Sequence, residues 1–135
     1  MSSFHLQIVT PDGQAFDGQA RRVLCRTIVG DVCILPRHCD YLTALGMGEA
    51  RVTLEDGTVR KAACIGGMLA VRGGEVRLVG TTFEWAEDID KERAEASKQK
   101  AEKVLQQKNA DTRDLELAQA RLKRALVRTH VADHI

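Results

Sequence analysis

Residues Glu84 to Ala94 read EWAEDIDKERA, and the chain changes character inside them. From Asp90 onward there is no glycine or proline, and Ala, Glu, Lys, Gln and Arg dominate. These side chains lose little rotamer freedom in a helix, so the last third is expected to be helical. Asp90 is placed to cap a first helix, with Arg93 one turn in. The pattern breaks at Asn109-Ala110-Asp111, where Asp111 or Thr112 can cap a second helix. Leu115, Ala118, Leu122, Ala125 and Thr129 then recur at alternating steps of three and four, a narrow seam on one face. Ala94, Ala101, Val104 and Leu105 answer it from the first helix. Two antiparallel helices joined by an Ala-rich seam, over residues 87–135, make a helical hairpin.

Upstream of the switch the period is different. FHLQIV alternates with period two, and RVLCRTIV, CILP, YLTAL, ARVTL, VRKAACI, MLAV and EVRLVG follow as short apolar runs. Asp12-Gly13, Asp56-Gly57 and Gly73-Gly74 tolerate the positive φ of tight hairpin turns. Eight or so strands with no helix signal between them argue for an antiparallel sandwich or flattened barrel over residues 1–86. The fold class is therefore α+β: a β-sandwich followed by a two-helix hairpin. Full burial of a leucine is worth roughly 1.5–3 kcal/mol, and ordering each residue costs about 1–2 kcal/mol. A seam this poor in large side chains makes the hairpin marginal on its own, and a marginal element is a candidate switch.

Composition narrows the classes. The chain has 135 residues, 44% of them hydrophobic but only 4% aromatic, so its core must be aliphatic. A formal charge of +1 argues against a dedicated nucleic-acid binder, though the sum hides an asymmetry. Residues 1–89 carry 9 Lys/Arg against 11 Asp/Glu, while residues 90–135 carry 11 against 8. The basic surplus lies on the helical third, which suits an acidic partner. No run of about 18 apolar residues is present, so no direct membrane insertion is expected. Strand-like sequence begins at Phe4 without a charged, apolar or Arg/Ser-rich leader. Cys25, Cys33, Cys39 and Cys64 are scattered through apolar segments, which reads as reduced, mostly buried thiols of a cytoplasmic protein.

One stretch looks like chemistry. Gly30 to Leu45, GDVCILPRHCDYLTAL, gathers two cysteines, a histidine and two aspartates around a proline. Cys33 and Cys39 have five residues between them, a spacing that matches no common zinc knuckle. Alternation within CIL is expected to point Cys33 inward. His38 offers a base for a thiol nucleophile, but no third group to orient it is marked. His5, His130 and His134 are isolated, and no P-loop is present. No catalytic or metal-binding set emerges.

The same residues carry a resemblance. VTPDG, then GDVCILPRH followed by LTAL, then IGGMLAV, then AEDID with Arg93-Ala94, and finally LKRAL with Arg128 occur in that order. From about Phe4 to Val131 the chain resembles the epsilon subunits of bacterial rotary F-type ATP synthases. It departs from the family loop Gly-Ile-Leu-Pro-Gly-His-Ala-Pro, having Cys33, Arg37, Cys39 and Asp40 where Gly, Gly, Ala and Pro are common. Losing glycines and a proline changes the backbone freedom of that loop.

The resemblance implies a non-catalytic rotor subunit on the cytoplasmic face of the bacterial inner membrane, coupling a gamma subunit and the membrane ring of c subunits to the catalytic head. Residues 1–86 would be the docking domain, with Asp31 and His38 at the gamma or ring contact; a turn held by Pro36 with Asp31 merely solvated is the alternative. Residues 87–135 would be the regulatory domain. Folded, the hairpin would leave the enzyme free; extended, about 40 helical residues would reach roughly 60 Å and block ATP hydrolysis. Arg121, Lys123, Arg124 and Arg128 would then meet the alpha and beta subunits of the head, or else form a solvated basic face. No cofactor is required, but ATP is implied as a regulatory ligand of the folded hairpin. Its residues would be Glu84, Ile89, Asp90, Arg93, Ala94, Arg124 and Arg128, with Lys100 in place of an arginine and without its planar fork. Asp90 would accept from the adenine amino group, or cap the helix only. A stand-alone sandwich-and-hairpin adaptor, and a thiol or metal enzyme built on the cysteines, are the rival readings.

Overall fold

The computed structural model describes residues 2–107 and 111–133, in two compact units, Met1–Trp85 and Ala86–Ile135. The first contains β1 (Phe4–Thr10), β2 (Gly13–Thr27), β3 (Gly30–Ile34), β4 (Tyr41–Ala44), β5 (Met47–Leu54), β6 (Val59–Arg72) and β7 (Glu75–Trp85). The second contains a 3-10 turn (Ala86–Asp88), α1 (Lys91–Leu105) and α2 (Thr112–Asp133).

The three dipeptide turn signals are the turns of β1–β2, β5–β6 and β6–β7. At the last, Gly73 and Gly74 have φ of 58° and 82°, the pair of positive values that a two-residue hairpin needs. β1 pairs with β2 and β7, β7 with β6, β6 with β5, and β5 with β2, so the circuit closes into a flattened barrel. β3 flanks β2, and β4 extends the β5 path along β6. All pairings between these strands are antiparallel except β1 with β7, where Leu6 lies beside Val76 and Val9 beside Val79 in parallel register.

Two expected strand limits differ, for identifiable reasons. VRKAACI and MLAV, read as two strands, are one bent strand, β6. Its register with β7 is the same on both sides of the bend, Ile65 facing Thr82 and Gly67 facing Gly80. A Cβ on Gly67 would sit 2.0 Å from the Val79 carbonyl oxygen, so only glycine admits this approach. Conversely RVLCRTIV, read as one strand, stops at Thr27. The Thr27 hydroxyl accepts from Val29 N–H (3.1 Å) and donates to the Gly30 carbonyl (2.6 Å), closing a turn whose tip is Ile28-Val29.

The barrel interior is aliphatic, as the composition requires. Leu6, Ile8, Val23, Ile34, Val52, Leu69 and Leu78 are fully buried. Phe16 and Phe83 gather at Trp85: Phe83 lies edge-on at 4.9 Å, Arg60 stacks 3.8 Å from the ring, and the indole N–H donates to the Ala15 carbonyl.

In the helical unit, Asp90 caps α1 by accepting from Arg93 N–H (3.1 Å), and Asp111 caps α2 by accepting from Asp114 N–H (2.8 Å). The expected break at Asn109-Ala110, like His134, lies outside the described residues. An ion pair between Lys91 and Asp133 joins the start of α1 to the end of α2, which makes the helices antiparallel. Ala94, Ala101, Ala118 and Ala125 are buried; Leu115 and Leu122 are only half-buried. The seam is thus built of alanines, which bring helix backbones close but bury little area.

Candidate functional site

A cleft of ≈ 290 Å³ opens between α1 and α2. Lys100 on α1 and Arg121, Arg124 and Arg128 on α2 bring four cations to it, while Ala101 and Ala118 of the seam supply apolar floor. Ser97 and Val104 complete the α1 wall, and no carboxylate lines the cleft. Among the described residues, none forms an ion pair with Lys100, Arg121 or Arg124. Cations gathered this closely repel one another, and their convergence favours a multivalent anion.

The sequence-derived set is thus divided. Lys100, Arg124 and Arg128 converge on the cleft. Arg93 lies about one turn before Ser97 and Asp90 about two, at the start of α1, and Asp90 is engaged as the helix cap. Ile89 is half-buried and Ala94 is buried in the seam. Glu84 belongs to β7, in register with Ala63, and does not line the cleft. Arg121, assigned by sequence to the head contact only, lines the cleft with the others. Its spacing from Arg124 and Arg128, i, i+3 and i+7, was the available signal. Lys123 is exposed on α2 and is not part of the lining.

In the sandwich unit the two candidate docking residues sit in different places. Asp31 is paired with Arg26, whose Nε donates across 2.6 Å, next to the Ile28-Val29 tip. His38 lies in the turn after β3, its Nδ1 2.7 Å from the Cys39 carbonyl and its ring 5.8 Å from Tyr41. That turn is tied to the β6–β7 hairpin through Asp40, which accepts from Gly73 N–H at 3.0 Å. Asp31 is therefore neither merely solvated nor beside His38. The sequence missed Ile28 and Val29, which are 69% and 84% exposed at the β2–β3 tip. Apolar residues in a run of eight read as buried strand; their exposure follows from the Thr27 turn. His5, read as isolated, pairs with Asp17, and this hydrogen bond holds the Asp17 carboxyl below its usual range.

The thiol stretch does not assemble a site. Inward alternation in β3 falls on Ile34, which turns Cys33 outward, contrary to the expected orientation. All four thiols are free; Cys25 and Cys64 are buried, whereas Cys33 and Cys39 are exposed, so the expectation of mostly buried thiols holds for half of them. Burial pushes Cys25 up to about 12 and Cys64 up to about 11, far from a nucleophile's range. Among the described residues no group of three or more His, Cys, Asp or Glu is arranged to hold a metal ion.

Comparison with known proteins covers both units. The family described as ATP synthase, Delta/Epsilon chain, beta-sandwich domain matches residues 3–86, and its long alpha-helix domain matches residues 87–133. The ATP synthase epsilon chain of Bacillus velezensis is 40% identical over 132 residues, covering 98% of each chain. That of an Exiguobacterium strain is 36% identical over 133 residues, again 98% of each. Among solved structures, a chain of the Euglena gracilis mitochondrial ATP synthase OSCP/F1/c-ring assembly superposes with a TM-score of 0.85 at 20% identity, covering 99% of this chain and 83% of that one. A chain of the Tetrahymena thermophila central stalk/c-ring assembly gives 0.63 at 14% identity, covering 95% of each.

Proposed function

This chain belongs to the ATP synthase delta/epsilon family, and from that premise we propose that it is a central-stalk rotor subunit whose helical hairpin senses ATP and restrains hydrolysis. It is an epsilon chain, a non-catalytic accessory subunit of the synthase. The sandwich docks on the gamma subunit and the ring of c subunits through exposed segments, the Ile28-Val29 tip with the Arg26–Asp31 pair and, separately, the His38 turn. Exposed apolar residues at a loop tip, beside an ion pair, suit a protein interface better than water. In this reading it would lie at the cytoplasmic face of the bacterial inner membrane, peripheral to the bilayer. No described helix is long and apolar enough to cross a membrane.

The observation that carries the regulatory reading is the α1–α2 cleft. ATP phosphates seated among Lys100, Arg124 and Arg128 would clamp the two helices together, with the adenine toward Asp90 and Arg93. Because the seam itself is thin, a ligand at ten times its dissociation constant adds about 1.4 kcal/mol, enough to tilt the hairpin between folded and extended forms. Extended, the helix would present Arg121, Lys123, Arg124 and Arg128 to the alpha and beta subunits. ATP would be a sensed metabolite, not a substrate. A stand-alone adaptor role would leave the match over both units unexplained.

Calorimetric titration of the full chain with ATP, beside Arg128→Ala, tests the sensing. Binding that weakens at least tenfold in the variant is the expected result; no binding up to several millimolar would refute it. Co-purification of gamma and the ring with the tagged chain tests the docking, and a polar tip (Ile28→Ser with Val29→Ser) should weaken it.

A further inference from the structure

The cleft holds one arginine more than the sequence pattern assigned to it. Arg128, Arg124 and Arg121 follow one face of α2 at steps of four and three, and all three line the same space. At about 1.5 Å per residue the row extends roughly 10 Å along the helix. The Lys91–Asp133 pair fixes its direction: Arg128 is nearest the end where α1 begins, and Arg121 is two turns further, at the Val104 and Ala118 end. A polyphosphate lying along this row from a base near Asp90 passes Arg128, then Arg124, and reaches Arg121 last.

We propose that Arg121 recognises the terminal phosphate of the bound nucleotide, and so sets a preference for a nucleoside triphosphate over a diphosphate. This rests on the nucleotide reading above. The physical basis is the fork of the guanidinium, which donates two parallel hydrogen bonds to phosphate oxygens. Lys100 faces the same space with a point charge only. Arg121 therefore supplies the planar donor that the α1 wall lacks. A diphosphate leaves Arg121 without a partner and gains nothing from it. One charge-assisted contact of this kind corresponds to on the order of tenfold in affinity. Arg121 is exposed on its helix, so its replacement does not disturb the alanine seam.

The test is titration of the full chain and of Arg121→Gln with ATP, ADP, inorganic tripolyphosphate and pyrophosphate, with circular dichroism to verify the helices. The expected result is roughly tenfold weaker ATP binding in the variant, unchanged ADP binding, and loss of the ATP-over-ADP preference. Unchanged ATP binding, or equal weakening of ATP and ADP, overturns the role of Arg121 while leaving the nucleotide reading standing. If the native chain binds neither nucleotide, the nucleotide reading falls. The role of Arg121 then survives only if tripolyphosphate is preferred over pyrophosphate by the native chain and not by the variant.

Discussion

Replacing Arg37 by glycine should stabilise the sandwich. Arg37 is the only described non-glycine residue with positive φ, at 64°. His38 N–H donates to the Leu35 carbonyl at 3.2 Å, closing a turn with Pro36 and Arg37 at its centre. A positive φ at the residue after the proline marks a type II turn, which glycine occupies without strain. A side chain held in the left-handed region costs roughly 1–2 kcal/mol. Glycine gives back about 0.4–1 kcal/mol through the extra freedom of the unfolded chain. The net expectation for Arg37→Gly is a gain of roughly 0.5–1 kcal/mol, or about 2–8 °C in the midpoint of a domain this size. Thermal unfolding followed by Trp85 fluorescence reports on the sandwich, because Trp85 is packed against Phe83 within it. Arg37→Ala keeps the Cβ and removes the charge, so it should not share the gain. A midpoint for Arg37→Gly equal to or below the native one, or an equal rise in Arg37→Ala, would refute the assignment of strain to this backbone.

Gly67→Ala should do the reverse: with its Cβ 2.0 Å from the Val79 carbonyl oxygen, β6 and β7 must separate, and a loss of more than about 2 kcal/mol in urea unfolding is expected. Asp90→Ala removes the α1 cap and should cost about 1 kcal/mol, seen as lower helicity and faster amide exchange at Arg93, whose N–H loses its partner. In the folded chain at pH 8, a thiol reagent should modify Cys33 and Cys39 quickly and spare Cys25 and Cys64 until the sandwich unfolds. The buried thiols also set an alkaline limit. Above pH 9 the unfolded chain releases thiol protons that folded Cys25 and Cys64 retain, so stability should fall as pH rises from about 9 toward the folded values of about 12 and about 11. Cys25→Ala with Cys64→Ala should flatten that slope; an unaltered slope would rule out the thiols as its cause.

The amino-acid sequence by itself determined the two-part plan, since the residue types on either side of EWAEDIDKERA suit different backbone periods. It also determined the hairpin turns at Asp12-Gly13, Asp56-Gly57 and Gly73-Gly74, the cap at Asp90 and the alanine seam, because each depends on neighbours within a turn or two. Three of the four cleft cations were likewise legible, though through family resemblance and not from their spacing alone. Where the strands begin and end was settled by tertiary structure. Gly66-Gly67 looks like a break until Val79 is seen to approach Gly67, and Ile28-Val29 looks like core until the Thr27 hydroxyl closes the turn beneath it. The outward face of Cys33 follows from which residue of β3 meets the barrel interior, a choice that a five-residue strand leaves to its partners. Arg121 joins Lys100 only when two helices distant in sequence lie antiparallel. Local conformational preference is written residue by residue, whereas the meeting of side chains across elements depends on register, and register is fixed only when the whole unit packs.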